Sequence, residues 1–195
     1  MEYLSQSLVF TSSSIYYDWS NIEPEVAAEI GDMYVMMDWE DSIMSASAAY
    51  VCENGGDILE IGFGMGISAN YIQSHTITSH TIIENHPEII LRAQTWASDK
   101  PNVTIVEGDW YNVFGTLSTY DGLFYDTWMD YNNSHFSSSL STLMKPGGKA
   151  TWWNNDNSED TYFNIPDVTY DIINVTPTPN QYFNHSQYYL PKKQF

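Results

Sequence analysis

The segment DILEIGFGMGISANYI sets Gly62, Gly64 and Gly66 between an apolar run and a short helical pattern. Glycines let the backbone turn sharply and approach a ligand closely at the carboxyl end of a first strand, so a flat, extended ligand is expected there. The spacing is G-x-G-x-G with Glu60 before it; the dinucleotide fingerprint needs its third glycine one place later, where Ile67 stands. No lysine follows the loop, as a phosphate-binding P-loop would require. Glu84 ends the next β-rich run, where a carboxylate can accept both hydroxyls of a ribose, a feature shared by NAD and S-adenosylmethionine sites. After the third run come Gly108, Asp109 and Trp110, a polar group able to bond an adenine edge and a ring able to stack on it. DGLFYD puts Asp126 at the end of a fourth run, in the crevice where strand order reverses, and LMKPGGK leads into a fifth.

These residues need a sheet to hold them. β-rich runs at 57–61, 81–84, 103–107, 122–126 and 149–153 alternate with helical patterns, which predicts an α/β, Rossmann-like doubly wound and mostly parallel sheet. Pro87 opens one helix with Ile89, Ile90, Ala93, Trp96 and Ala97 on one face. A second helix is expected over 133–144, stopped by Pro146, Gly147 and Gly148. Ahead of the sheet, 38–51 reads as a helix rich in Ala and Ser, closed by Asn54, Gly55 and Gly56. Residues 154–167 collect turn formers and read as a loop; 168–176 and 181–190 read as strands of a closing antiparallel hairpin. The first 20 residues, rich in Ser and Tyr, are expected to be partly mobile.

The 195 residues fit one domain: a cap or lid and helix over 1–54, a ligand-binding core over 55–153, and a loop and hairpin over 154–195. Six Lys and Arg against 25 Asp and Glu give a formal charge of −19, which disfavours nucleic acid and anionic membrane and favours a small cationic ligand. Cys52 is the only cysteine, so no internal disulfide or Cys-based zinc site is available. His75, His80, His86, His135 and His185 form no HExxH pattern, and no metal site is expected. With no basic n-region at the amino terminus and no long apolar run, a cytoplasmic location is the default expectation.

Taken together, Glu60-x-Gly62-x-Gly64-x-Gly66, Glu84, the DGLxxD run and the KPGG turn resemble class I S-adenosylmethionine-dependent methyltransferases. MMDWEDSIM at 36–44, with LEIGFGMG, TIIEN, GDW and FYDTW in order, is similar to guanidinoacetate N-methyltransferase and the related arginine N-methyltransferases, over roughly 34–153. The YYLP near the carboxyl terminus fits that family's last strand. The resemblance implies S-adenosyl-L-methionine as cofactor, with S-adenosyl-L-homocysteine as product. It implies that Met36 and Met44 border the cofactor and that the loop from Gly62 through Phe63, Gly64, Met65 and Gly66 to Ile67, led by Glu60, cradles its methionine part. Glu84, Asn85 and His86 would hold the ribose, and Asp109 and Trp110 the adenine.

The same resemblance makes Glu40 and Asp126 the two carboxylates that hold an acceptor guanidinium. A guanidinium is planar and its paired N–H donors suit carboxylates, so two acids fix its plane. Its protonated form is a poor nucleophile; Asp126, beside the cofactor, is the expected proton acceptor and Glu40 the orienting group. The implied reaction is N-methylation of a small guanidino compound such as guanidinoacetate, agmatine or arginine. The alternatives are a protein arginine methyltransferase and a cofactor-binding protein that keeps the fold without turnover. Tyr16, Tyr17 and Trp19 are expected lid residues. The interval after the fifth strand is short for the family, predicting a more open acceptor pocket, and where the family helps bind an acceptor's carboxylate it has Asn155, Asp156 and Asn157, whose acid would repel that group unless it turns away.

Overall fold

The computed structural model describes residues 7–17, 33–128 and 133–195. Strands β1 (Leu8–Phe10), β2 (Ser14–Tyr17) and β3 (Met33–Met37) form an antiparallel sheet, so part of the Ser- and Tyr-rich amino-terminal stretch is built into strands. The turn between β1 and β2 is closed by Thr11, whose hydroxyl accepts the N–H groups of Ser13 and Ser14. Leu8, Ile15 and Tyr17 bury themselves against Phe63, Ala69, Ile82, Ile89 and Ala93, which fastens this small sheet to the body of the domain. Trp19 lies outside the described residues.

A 3-10 turn over Asp38–Glu40 leads from β3 into α1 (Asp41–Val51). Ile43, Met44, Ser47, Ala48 and Val51 form its buried face, and the small Ser47 and Ala48 let it lie close to its neighbours. Cys52, just beyond, is buried, and burial with the nearby Glu60 charge pushes its thiol up to about 12. It packs as a small apolar group.

The remaining elements are β4 (Asp57–Ile61), α2 (Ile67–Ser74), β5 (Ser79–Glu84), α3 (Pro87–Ala97), β6 (Val103–Glu107), α4 (Trp110–Val113), β7 (Tyr120–Tyr125), α5 (Asn133–Leu143), β8 (Met144–Trp152), β9 (Thr169–Asn174) and β10 (Gln187–Gln194). They build a seven-stranded sheet in the order β6-β5-β4-β7-β8-β10-β9. The first five in that order run parallel, and β10 pairs antiparallel with both β8 and β9. Strand order reverses between β4 and β7, and the crevice at their carboxyl ends is where the fold places ligands.

Two strand starts differ most from the sequence reading. The KPGG segment belongs to β8, which starts at Met144 opposite Tyr120 and shifts register before Lys149 meets Gly122. The last strand begins at Gln187, six residues later than expected, because Asn180 accepts the N–H groups of Tyr182 (2.9 Å) and Phe183 (2.7 Å) and holds that stretch in a turn. Among the described residues no helix is long and apolar enough to cross a membrane.

Candidate active site

A cavity of about 410 Å3 opens at the carboxyl ends of β4, β5, β6 and β7. Its floor is the loop after β4. Gly62 has φ +94°, and a Cβ there would lie 1.9 Å from the Asp126 carbonyl oxygen, so only glycine lets this loop pass the end of β7. The Asp126 N–H donates to the Ile61 carbonyl at 2.9 Å, which locks the two strand ends together. Gly64 presses against Met36, whose sulfur would lie 2.6 Å from an added Cβ and also accepts the Met65 N–H at 3.2 Å.

Glu84, at the tip of β5, is held by three backbone donors: the N–H of Phe63 at 3.0 Å, of Asn85 at 2.8 Å and of His86 at 2.9 Å. A carboxylate offers about four lone-pair positions, so Glu84 retains acceptor capacity for a ligand hydroxyl beside these three bonds. Its rigidity instead fixes the glycine loop and the start of α3 to one another. Asp109 caps α4 by accepting the Tyr111 N–H at 2.9 Å and lines the cavity. Trp110 also lines it, while packing edge-on against Tyr125 and Phe136 in the main core.

Of the residues expected at the ligand site, Met36, Glu40, Gly62, Phe63, Gly64, Glu84, Asn85, His86, Asp109, Trp110 and Asp126 share this cavity. Met44 does not: it is wholly buried in the core beneath α1, filling space as methionine commonly does. Met65, Gly66 and Ile67 are also absent from the wall, because Gly66 turns the chain into α2 and Met65 and Ile67 pack against the hydrophobic core. Glu60 is wholly buried below the floor, where it accepts the hydroxyl proton of Ser68 and stands 2.9 Å from His80 Nε2. Its contribution is to seat Ser68, which does line the cavity.

Glu40 and Asp126 line the same cavity, one from the 3-10 turn after β3 and one from the end of β7. Glu40 is buried, and its Oε1 accepts the Met37 N–H at 2.8 Å and the Tyr182 hydroxyl at 2.5 Å. Burial and then the Asp126 charge push its carboxyl up to about 8, against the lowering effect of those two bonds. Asp126 keeps some accessible surface in the cavity, yet its carboxyl is enclosed by protein. Burial and the Glu60 charge push it up to about 7. The pair titrates together, since whichever acid ionises first raises the other. A bound planar cation would favour the ionised forms of both acids.

Sequence reasoning missed the wall that faces these acids. Tyr182, from the turn before β10, donates to Glu40 and stacks on Trp39 with centroids 6.0 Å apart. Burial and the Glu40 charge hold its hydroxyl well above the usual range, so it stays a donor. Trp128, Trp153, Tyr162 and Phe163 complete the wall. The only signal in the sequence is aromatic richness, with 15 Tyr, 7 Trp and 8 Phe. Tyr17 lines the cavity as a lid residue should and packs on Trp128 at 4.8 Å, whereas Tyr16 turns away to Tyr34.

The loop after β8 is tied down by its own side chains. Asp160 accepts the Trp152 indole N–H and the Tyr162 and Phe163 N–H groups, returning those two rings to the cavity. Asp156 accepts the N–H and hydroxyl of Thr161 and does not line the cavity, so only Asn155 of that trio does.

The family model of guanidinoacetate N-methyltransferase matches residues 10–160. A curated relative, protein arginine N-methyltransferase 2 of Kluyveromyces lactis, is 34% identical over 83% of this chain and 47% of its own length. The protein of the same name from Saccharomyces cerevisiae is 30% identical with the same coverage of both chains. The chain thus spans about half the length of these relatives. Among solved structures, spermidine synthase from Thermotoga maritima superposes with TM-score 0.64 at 11% identity, covering 96% of this chain and 72% of that one. N-methyltransferase NodS from Bradyrhizobium japonicum, in complex with S-adenosyl-L-homocysteine, gives TM-score 0.64 at 14% identity, covering 80% and 87%. At such identities the likeness is one of fold, the class I methyltransferase fold expected from the sequence.

Proposed function

The chain belongs to the guanidinoacetate N-methyltransferase family of S-adenosylmethionine-dependent N-methyltransferases, and from that premise we propose that it methylates a guanidino nitrogen of a small molecule. The observation that carries this reading is one cavity holding both a glycine-floored crevice and two acids with raised pKa values, the buried Glu40 and the partly accessible Asp126. S-Adenosylmethionine, when bound, supplies a methyl group on a sulfonium. Gly62 and Gly64 would leave room for its methionine part, Glu84 would accept a ribose hydroxyl, and Asp109 and Trp110 would hold the adenine.

Tyr182 and the Met37 N–H fix the Glu40 carboxylate, which grips one edge of the guanidinium plane. Asp126 grips the other edge from the strand end that the glycine loop also touches, so its partner nitrogen faces the cofactor crevice. With its carboxyl held near neutrality, Asp126 can take the proton that the nitrogen sheds on becoming nucleophilic. Orientation of this kind accounts for about 7 kcal/mol or more of barrier lowering in well-aligned systems.

A second reading has one specific support: curated relatives at 30–34% identity are named protein arginine N-methyltransferase 2. An arginine side chain would present the same plane to the same acids. Transfer of labelled methyl from S-adenosylmethionine to a panel of guanidines tests the first reading, and labelled protein in a mixed protein preparation tests the second. Asp126→Asn should lower kcat by about 100- to 10,000-fold while S-adenosyl-L-homocysteine affinity stays within a few-fold. Undiminished transfer by this variant removes Asp126 from the mechanism.

A further inference from the structure

Trp39 stands directly before Glu40 in the 3-10 turn and does not line the cavity. Its ring stacks on Phe183 at 5.8 Å and on Tyr182 at 6.0 Å, and meets Trp153 edge-on at 6.4 Å. The turn that carries Tyr182 and Phe183 is clamped to the strand just ahead of Trp39. Gln181 accepts the Tyr34 N–H at 3.1 Å and donates to the Tyr34 carbonyl at 2.6 Å. Two segments 142 positions apart are thereby docked, and Tyr182 donates to Glu40 Oε1 at 2.5 Å.

Among the described residues the Trp39 indole Nε1 is buried and closes no hydrogen bond of ordinary geometry. A buried donor left open is costly, so a nearby acceptor matters. That acceptor is the Tyr182 hydroxyl: burial and the Glu40 charge raise its pKa, and the Trp39 N–H opposes the rise. A phenol has one proton to give and lone pairs to receive with. Glu40 takes the proton, which leaves a lone pair of the Tyr182 oxygen for the indole.

We propose that Trp39 is a positioning residue of the reaction: its indole N–H, aimed at the Tyr182 oxygen, fixes the direction in which that hydroxyl donates and so holds the Glu40 carboxylate in place for the acceptor cation. The inference rests on the guanidino reading above and extends the grip on the substrate by one side chain. Hydrogen bonds in series polarise one another in a low-dielectric interior, so an N–H given to the phenol oxygen strengthens the bond that the phenol gives to the carboxylate. Without it Glu40 binds a proton more readily and a cation less well. The titratable groups around Glu40 are Asp126, Tyr182 and Tyr188. Trp39 acts through Tyr182, which leaves Asp126 able to take its proton.

The test replaces Trp39 with 3-benzothienylalanine, which keeps the bicyclic shape and puts sulfur in place of the N–H, alone and combined with Tyr182→Phe. KM is read for whichever of guanidinoacetate, agmatine and arginine the wild-type protein methylates. The single change should raise KM about two- to tenfold, leave kcat within about twofold, and move the acidic limb of kcat/KM to higher pH. In the Tyr182→Phe background it should raise KM no further, the non-additivity expected of groups that share one network. An NMR titration of the Glu40 carboxyl carbon, assigned with Glu40→Gln, should move to higher pH in the single variant. An unchanged KM, an unmoved titration, or the same rise in KM with and without the Tyr182 hydroxyl overturns the inference and leaves the guanidino reading standing. Failure of the wild-type protein on every guanidine, with S-adenosyl-L-homocysteine binding intact by calorimetry, overturns the guanidino reading; the carboxyl titration then decides by itself whether Trp39 acts on Glu40 through Tyr182.

Discussion

Replacing Glu40 by glutamine separates the electrostatic cost of the acid pair from its geometry. The amide keeps an oxygen for the Met37 N–H and the Tyr182 hydroxyl, the bonds that hold the wild-type side chain. What it removes is a carboxyl raised from 4.5 to about 8. An acid whose folded pKa is raised binds more protons folded than unfolded between those values, so unfolding free energy falls as pH rises. The penalty is absent below about pH 4.5 and fully developed above about pH 8. The shift would set an upper bound of roughly 5 kcal/mol at ~1.4 kcal/mol per unit. Because Asp126 shares the titration, about 2–3 kcal/mol is the expected share of Glu40. For a domain of this size each kcal/mol moves Tm by about 2–4 °C. Glu40→Gln should therefore lose some 4–12 °C less than wild type between pH 5 and pH 8.5, and melt higher than wild type at the alkaline end. It should also lose at least tenfold in kcat/KM, since the guanidinium edge loses its anion. Scanning calorimetry across that pH range checks the first outcome; parallel Tm curves for the two proteins would refute the assignment of Glu40 as a buried acid of raised pKa.

Tyr182→Phe keeps the ring on Trp39 but removes the donor that lowers the Glu40 carboxyl. The acidic limb of the pH profile of kcat/KM should move to higher pH, with KM for the guanidine rising several-fold and stability falling by about 1–2 kcal/mol. Gly62→Ala puts a Cβ against the Asp126 carbonyl at a φ of +94°, and should cost about 3 kcal/mol or more in urea unfolding. S-Adenosyl-L-homocysteine affinity should fall at least tenfold by calorimetry. His80→Leu leaves Glu60 buried without its nearby imidazole, and should destabilise by about 1–3 kcal/mol, read from the urea midpoint.

The sheet was legible where strand and loop chemistry agree. DILEI and TIIE are short runs rich in Ile and Leu ending before a glycine or in a carboxylate, and such runs fit strands buried on both faces. Glu84 and Asp126 were legible for the same reason: strand-end position follows from local pattern, and the switch-point crevice follows from strand order. The late start of β10 was not. QYFNHSQYYL alternates well enough to suggest one strand, and only the Asn180 side chain, capping two amides, keeps its first half in a turn. The same displacement explains why Tyr182 was invisible as a site residue. Its partner Glu40 is 142 positions away, and no local rule joins a turn before the last strand to a 3-10 turn ahead of the first parallel one.

Glu60 and Met44 show the opposite failure, in which a motif position was read as a contact when its place in the fold is a support. Glu60 occupies β4 itself, so its side chain points below the glycine floor rather than across it, and there it meets Ser68 and His80. Its charge still reaches the chemistry, because it helps raise Asp126 toward neutrality. The acid pair is thus set from two directions: from below by a buried carboxylate, and from the front by a tyrosine that counteracts the rise at Glu40. That opposition gives the two acids different work. Glu40, held by two donors, is the fixed grip, while Asp126, for which the Glu60 charge reinforces the effect of burial, is the better placed to take a proton from a nitrogen turning toward the cofactor crevice.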